Sequence, residues 1–148
     1  MRSRTSDWFE VVVRYSKTQE DGIQKMVTEK YVVDALTFTE AEARITEEMK
    51  PYVTGELYIK AIARATYHEV FFSDQVKDGK WYKAKLCFVT LDEKSGKEKR
   101  PTVVYLVQAS SLDGANKNVE DIMFGTMIDY ESVAITETPF MDVFEHIA

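Results

Sequence analysis

The chain has few of the residues that staple or interrupt structure: one cysteine, three prolines and six glycines in 148 residues. A single thiol, Cys87, excludes an intramolecular disulfide. The opening stretch MRSRTSDWFE lacks the apolar run of a secretion signal, so a reducing cytoplasm is the expected compartment. No run approaches the roughly 20 apolar residues that cross a bilayer, and no polybasic block flanks an amphipathic stretch, so no membrane partner is expected. Basic charge is in deficit. Nineteen Lys and Arg against 25 Asp and Glu leave −6, which works against long-tract binding to a phosphate backbone. The phosphate-loop, dinucleotide, nucleophile-elbow and zinc signatures are missing too: there is no G-x-x-x-x-G-K-[ST], G-x-G-x-x-G, G-x-S-x-G, H-E-x-x-H or paired C-x-x-C. The expectation is no cofactor and no metal.

Apolar material is plentiful, with 45% hydrophobic and 12% aromatic residues, enough for one compact domain over 1–148 and too much for a disordered acidic tail. Its most informative pattern is an internal repeat. WFEVVVRY from Trp8 aligns with WYKAKLCF from Trp81. After a one-residue insertion Gly22 meets Gly96, Tyr31 meets Tyr105 and Ala35 meets Ala109, and Ile45 then meets Val119. A one-residue deletion restores the first spacing, pairing Ile62 with Ile135, Glu69 with Asp142 and Phe71 with Phe144. Both length changes fall in connections, where loops absorb them at little cost. The expected halves are 8–72 and 81–144.

Each half reads as strand, strand, helix, strand. Phe9, Val11, Val13 and Tyr15 alternate with Trp8, Glu10, Val12 and Arg14, and Tyr82, Ala84, Leu86 and Phe88 alternate with Trp81, Lys83, Lys85 and Cys87. Gly22 and Gly96 close antiparallel hairpins in the turns TQEDG and DEKSGK. Thr39 with Glu42 predicts a capping box ahead of Ala41, Ile45 and Met49; Asp113 predicts the cap of a second helix with Ala115, Val119, Ile122 and Met123 on one face, and Pro51 and Gly125 mark the stops. In the third strand, Ala61, Ala63 and Ala65 leave room for the helix of their own half. The expected architecture is α+β: a tandem duplication of this unit, mainly antiparallel, with two helices and a pseudo-twofold axis.

The succession WFE, VDALTFTEAEARITEEM, RATYHEVFFSD, WYKAKL, TLDEKSG and VQA resembles an uncharacterised domain-of-unknown-function family of Bacteroidetes and the phages that infect them, over nearly the whole chain. The resemblance implies a cytoplasmic protein of a phage or mobile element. It transfers no activity and no catalytic residue.

Chemistry-bearing candidates are few. His68 is a candidate general base, though on the segment YHEVFF, with Met141 as its counterpart, a packing role is the simpler reading. Cys87 sits between Leu86 and Phe88 as a small packing group, and the acids Glu40, Glu42, Glu47 and Glu48 read as a solvated helix face. Glu69 and Asp142 recur before Val-Phe and read first as turn or cap residues. Trp8 and Trp81 fall on the charged strand face beside Arg14, Lys83 and Lys85, with Lys60 and Arg64 on the third strand. Two readings fit them: an aromatic edge packed on the core, or an open face for ligand, partner or bases. The residues assigned to ligand or partner binding are therefore Trp8, Trp81, Arg14, Lys83, Lys85, Arg64 and His68, with no catalytic set. The favoured function is a non-enzymatic module that engages a host protein or captures a small, nucleotide-like ligand between the halves, as a monomer. The alternatives are a single-stranded nucleic-acid accessory protein working through Trp8 and Trp81, and an enzyme built around His68.

Overall fold

A computed structural model of the chain describes residues 1–146. Its elements in the first half are β1 (Arg2–Arg4), β2 (Trp8–Thr18), β3 (Gln24–Asp34), α1 (Phe38–Met49), β4 (Tyr58–Ala65) and β5 (Glu69–Phe72). Then come β6 (Lys80–Leu91), β7 (Glu98–Lys99), β8 (Thr102–Ala109), α2 (Leu112–Phe124), β9 (Asp129–Glu137) and β10 (Phe140–Phe144). The fold is α+β. It divides into two compact units, unit 1 made of Met1–Thr5 and Tyr67–Thr138 and unit 2 of Ser6–Thr66 and Pro139–Ala148.

In unit 2 the strand order is β10-β3-β2-β4. The hairpin β2–β3 turns at Gly22, whose φ of 83° suits a residue without a Cβ. Phe9, Val11, Val13 and Tyr15 face inward, all 2% exposed or less, and meet Ala41, Ile45 and Met49 along one stripe of α1. In unit 1 the path β1-β5-β8-β6 continues into β9 on the far side of β6. Gly96, at φ 67°, lies in the corresponding hairpin turn. Ala84, Leu86 and Phe88 pack there against Val119 and Met123 of α2.

The two units use the same pairings. Strand β3 sits between β2 and β10 as β8 sits between β6 and β5, and β4 flanks β2 as β9 flanks β6. The irregularity in the β2–β4 ladder falls at Val12/Val13, and that of β6–β9 at Lys85/Leu86, which are aligned positions. This bulge changes what faces the core. Alternation alone put Ala61, Ala63 and Ala65 under the helix, but Ala61 and Ala63 are exposed, and Ile59 and Ile62 pack on the core instead. Residues three apart share a face only because one extra residue is inserted between them.

Two joints in the sheets are parallel. β5 lies parallel to β8, and β10 parallel to β3, so the segment YHEVFF is not the tail of its own half's last strand but a separate strand in unit 1. Unit 2 is thus completed by β10, a strand from beyond the continuous segment that forms the rest of its sheet, and unit 1 takes only β1 from outside its continuous segment. Parallel partners need a long crossover rather than a tight turn; β6 and the turn after it supply it between β5 and β8, and the passage through unit 1 supplies it between β3 and β10. In unit 2 the end of β10 is held by Asp34, which is 1% exposed. Its Oδ1 accepts from the backbone N–H of His146 at 2.8 Å and from Arg44 Nη1 at 2.9 Å, and Arg44 also donates to the Asp34 carbonyl.

The helices begin two residues earlier than the sequence pattern indicates. Thr37, not Thr39, is the N-cap of α1, its hydroxyl accepting from the N–H of Glu40 at 3.1 Å, and the Glu40 carboxylate takes the N–H of Leu36 at 2.8 Å. Ser111, not Asp113, caps α2 through the N–H of Gly114 at 3.0 Å. The earlier start lets Phe38 meet Phe9 edge to face at 5.0 Å. Removing the true cap is expected to cost about 1 kcal/mol. In urea denaturation Thr37→Ala should show that loss while Thr39→Ala stays within about 0.5 kcal/mol of wild type; the reverse ranking would return the cap to Thr39.

Candidate functional site

Each unit carries a cavity between its parallel strand and the part of the hairpin nearer the turn. In unit 2 the cavity has a volume of about 410 Å³ and is walled by Tyr15, Lys17, Tyr31, Tyr52, Asp142 and Phe144, with Ser16, Thr18, Thr54 and Met141 completing it. Its chemistry starts from one acid. On β3 the inward positions are Val27, Glu29, Tyr31 and Val33, so Glu29 is a carboxylate on the core face, its side chain only 9% exposed. It is fully engaged. Oε1 accepts the Tyr15 hydroxyl at 2.6 Å and the Tyr31 hydroxyl at 3.0 Å, and Oε2 meets Lys17 Nζ at 3.2 Å.

These contacts set the titration of the whole cluster. Burial alone would raise Glu29, yet the two phenols and Lys17 outweigh it and hold the carboxyl below its ordinary value. Burial comes first in pushing both phenols well above the ordinary tyrosine range, and the negative Glu29 adds to it. The cluster therefore holds neutral phenols at working pH. Tyr31 is stacked on Phe144 with ring centroids 5.3 Å apart and 13° between planes. At the rim stands Asp142, an exposed residue whose carboxyl end is partly shielded; that shielding raises its proton affinity, and a hydrogen bond from the Val143 N–H at 2.8 Å opposes the rise.

In unit 1 a cavity of about 470 Å³ is bordered by His68, Glu69, Phe71, Phe88, Tyr105 and Asp121 among others. The registers Asp142↔Tyr31 and Glu69↔Tyr105 coincide, so the acid that recurs before Val-Phe stands beside a tyrosine in both units. Burial, then the charge of Glu69, raises the Tyr105 phenol. Val103 stands where unit 2 has Glu29, so this second cavity lacks the buried acid. The His68 ring packs against Tyr105 at 5.7 Å and Phe88 at 6.3 Å, and its backbone N–H donates to the Val104 carbonyl at 2.7 Å.

The residues singled out from the sequence do not assemble as expected. Trp8 and Trp81 are each 1% exposed, so neither indole offers an open stacking surface. The strand face that carries Glu10 and Lys83 is itself buried at its Trp end, along with Val32 and Leu106. The Trp8 N–H has no hydrogen-bond partner among the described residues, while Trp81 meets Phe72 edge to face at 5.3 Å. Arg14 donates to Thr28 at 3.2 Å; Arg64 lies over Phe9 at 5.0 Å and Phe38 at 5.8 Å; Lys83 lies over the Tyr67 ring at 5.7 Å; Lys85 is exposed. Trp8, Arg14 and Arg64 belong to unit 2, whereas Trp81, Lys83, Lys85 and His68 belong to unit 1. The Tyr15–Glu29–Tyr31 cluster was missed, although an acid in the inward phase of a strand was there to be read.

Among the described residues no group of three His, Cys, Asp or Glu side chains could hold a metal ion, and no helix is long and apolar enough to cross a membrane. A family model described as Domain of unknown function (DUF4494) matches residues 7–146. The chain belongs to this family. The DUF4494 match takes in the unit 2 cavity and both parallel joints, and leaves β1 and the Met1 edge of the unit 1 cavity outside its bounds. No curated protein and no solved structure matches the chain.

Because the folded-state value of Glu29 lies below its unfolded value near 4.5, its ionised form stabilises the fold above that pH, and this contribution disappears as pH falls through the lower folded value. Glu29→Gln should therefore be less stable than wild type at neutral pH, with the gap closing in acid. Urea midpoints measured across that range test it, and a gap that persists unchanged in acid would rule the charge out as its source. The same variant should let the buried phenols ionise earlier in an ultraviolet titration.

Proposed function

We propose that this DUF4494 chain is a non-enzymatic binding module that captures a small ring-bearing ligand in the unit 2 cavity, and that it derives from a tandem duplication carried by a phage or mobile element and acts in the cytoplasm of a Bacteroidetes cell. The observation that carries the ligand reading is the composition of the cavity wall, four aromatic side chains with Asp142 at the rim, two of the phenols and Lys17 being anchored by Glu29. Ligand sites typically have volumes of about 300–1,000 Å³ and combine an apolar lining with a few fixed polar groups. Both features are present here.

The electrostatics narrow the ligand. Lys17 is already neutralised by Glu29, and Asp142 adds negative charge at the rim, so a phosphate-bearing molecule would meet no unbalanced cation among these residues. A neutral or cationic ring stacking on tyrosine faces suits the lining better. Nothing in the cluster favours turnover: the phenols are held protonated and Glu29 is saturated with donors. The origin and compartment rest on the sequence resemblance and on the lone, unpaired Cys87.

Native mass spectrometry of the protein recovered from its own cell should show a small-molecule adduct. Thr54 is exposed on the cavity wall, so Thr54→Trp can fill the space without disturbing the core, and it should abolish the adduct at unchanged thermal stability. Wild-type protein recovered without any adduct would overturn the reading of tight capture.

A further inference from the structure

The two sheets differ at one edge. In unit 1 the outer side of β5 is covered by β1, antiparallel, with Arg2 opposite Phe72, Ser3 opposite Phe71 and Arg4 opposite Val70. The Arg2 guanidinium lies over the Phe72 ring at 4.4 Å, and the next residue, Thr5, donates its hydroxyl to Glu69 at 3.4 Å. In unit 2 the strand equivalent to β5 is β10, and it ends the sheet: no strand lies outside it among the described residues. Aligned positions put Glu145 where Phe72 stands, Phe144 for Phe71, Val143 for Val70 and Asp142 for Glu69.

We propose that the open edge of β10 is a docking site for an extended basic segment of a partner protein, which adds to it antiparallel as Arg2-Ser3-Arg4-Thr5 adds to β5. This edge is independent of the cavity: the strand order and its filled counterpart in unit 1 define it. Exposed strand edges recruit extended peptides through backbone hydrogen bonds, with alternate side chains supplying specificity. Here the position equivalent to Glu69 is the acid Asp142, so a donor or basic residue opposite Asp142 repeats the Thr5–Glu69 contact.

Asp142 also explains how the edge stays single in the absence of a partner. Its Oδ1 accepts the Val143 N–H, a main-chain donor that an added strand's carbonyl would satisfy. Docking transfers that donor to the incoming backbone and frees the carboxylate for the incoming side chain. Carboxylates also disfavour a second copy of β10 as the occupant, because an antiparallel β10–β10 pair would bring like charges together.

The probe is the chain's own N-terminal sequence as a capped synthetic peptide, MRSRTS, compared with its charge-reversed form MESETS, each titrated into the full-length protein and followed by amide NMR. The basic peptide is expected to shift the amides of Asp142, Val143 and Phe144 and to slow exchange of the Val143 N–H. Asp142→Asn should weaken it about fivefold or more, as the loss of one charge-assisted contact would. Thr54→Trp, which closes the cavity but lies off the edge, should leave peptide binding intact. Equal binding of the charge-reversed peptide, shifts confined to other strands, loss of binding in Thr54→Trp, or a stable dimer of the free protein through β10 would each overturn the proposal.

Discussion

Everything in this fold depends on two parallel joints between strands that are far apart in the chain. A two-strand hairpin with one short helix cannot bury enough apolar surface to persist alone. Each hairpin acquires a further strand on its outer side, β10 beside β3 and β5 beside β8, and it is these strands that wall the two cavities. The buried carboxylate of Asp34 shows how firmly one such joint is tied, since it binds Arg44 in the middle of α1 and the chain just after β10 at the same time. A charge so buried is tolerated because both its neighbours are donors.

Much of the local structure could be read from residue order. The inward sets of β2 and β6, the apolar stripes of both helices and the two glycine turns follow directly from the periods of strand and helix, and all of them stand as read. Other features needed information that periodicity does not carry. T-x-x-E fits Thr37 as well as Thr39, and the choice was made by packing of Phe38 on Phe9. The bulge in β4 leaves no mark in the pattern of alternation, so its alanines were assigned to the wrong face. A strand such as EVFF looks the same whichever neighbour it will pair with, and the parallel joints were therefore invisible. Of the two readings of the tryptophans, burial selects the packed one: counting charges along one strand face describes its average environment, whereas both indoles sit at the one end of that face that is buried.

The site was legible only in fragments. The recurrence of Glu69 and Asp142 was plain in the alignment of the two halves, but its meaning lay in the cross-strand register that sets each acid beside a tyrosine. Glu29 announced itself as an acid in phase with Val27, Tyr31 and Val33, a violation of the inward pattern that charge counting over the whole chain concealed. The two units, alike in pairing, differ in chemistry at this point. One has a buried acid and two phenols, and the other has Val103 in place of the acid and a histidine at the wall.

The return of β10 to unit 2 also constrains how the gene can change. Every contact between β3 and β10 joins codons more than a hundred positions apart, and the same chain segment that leaves one sheet goes on to build the other. A recombination breakpoint anywhere between them would unite a sheet with a closing strand it had never been selected to fit. The two halves must therefore be inherited together, and compensating substitutions for a change in one are to be sought in the opposite half of the reading frame.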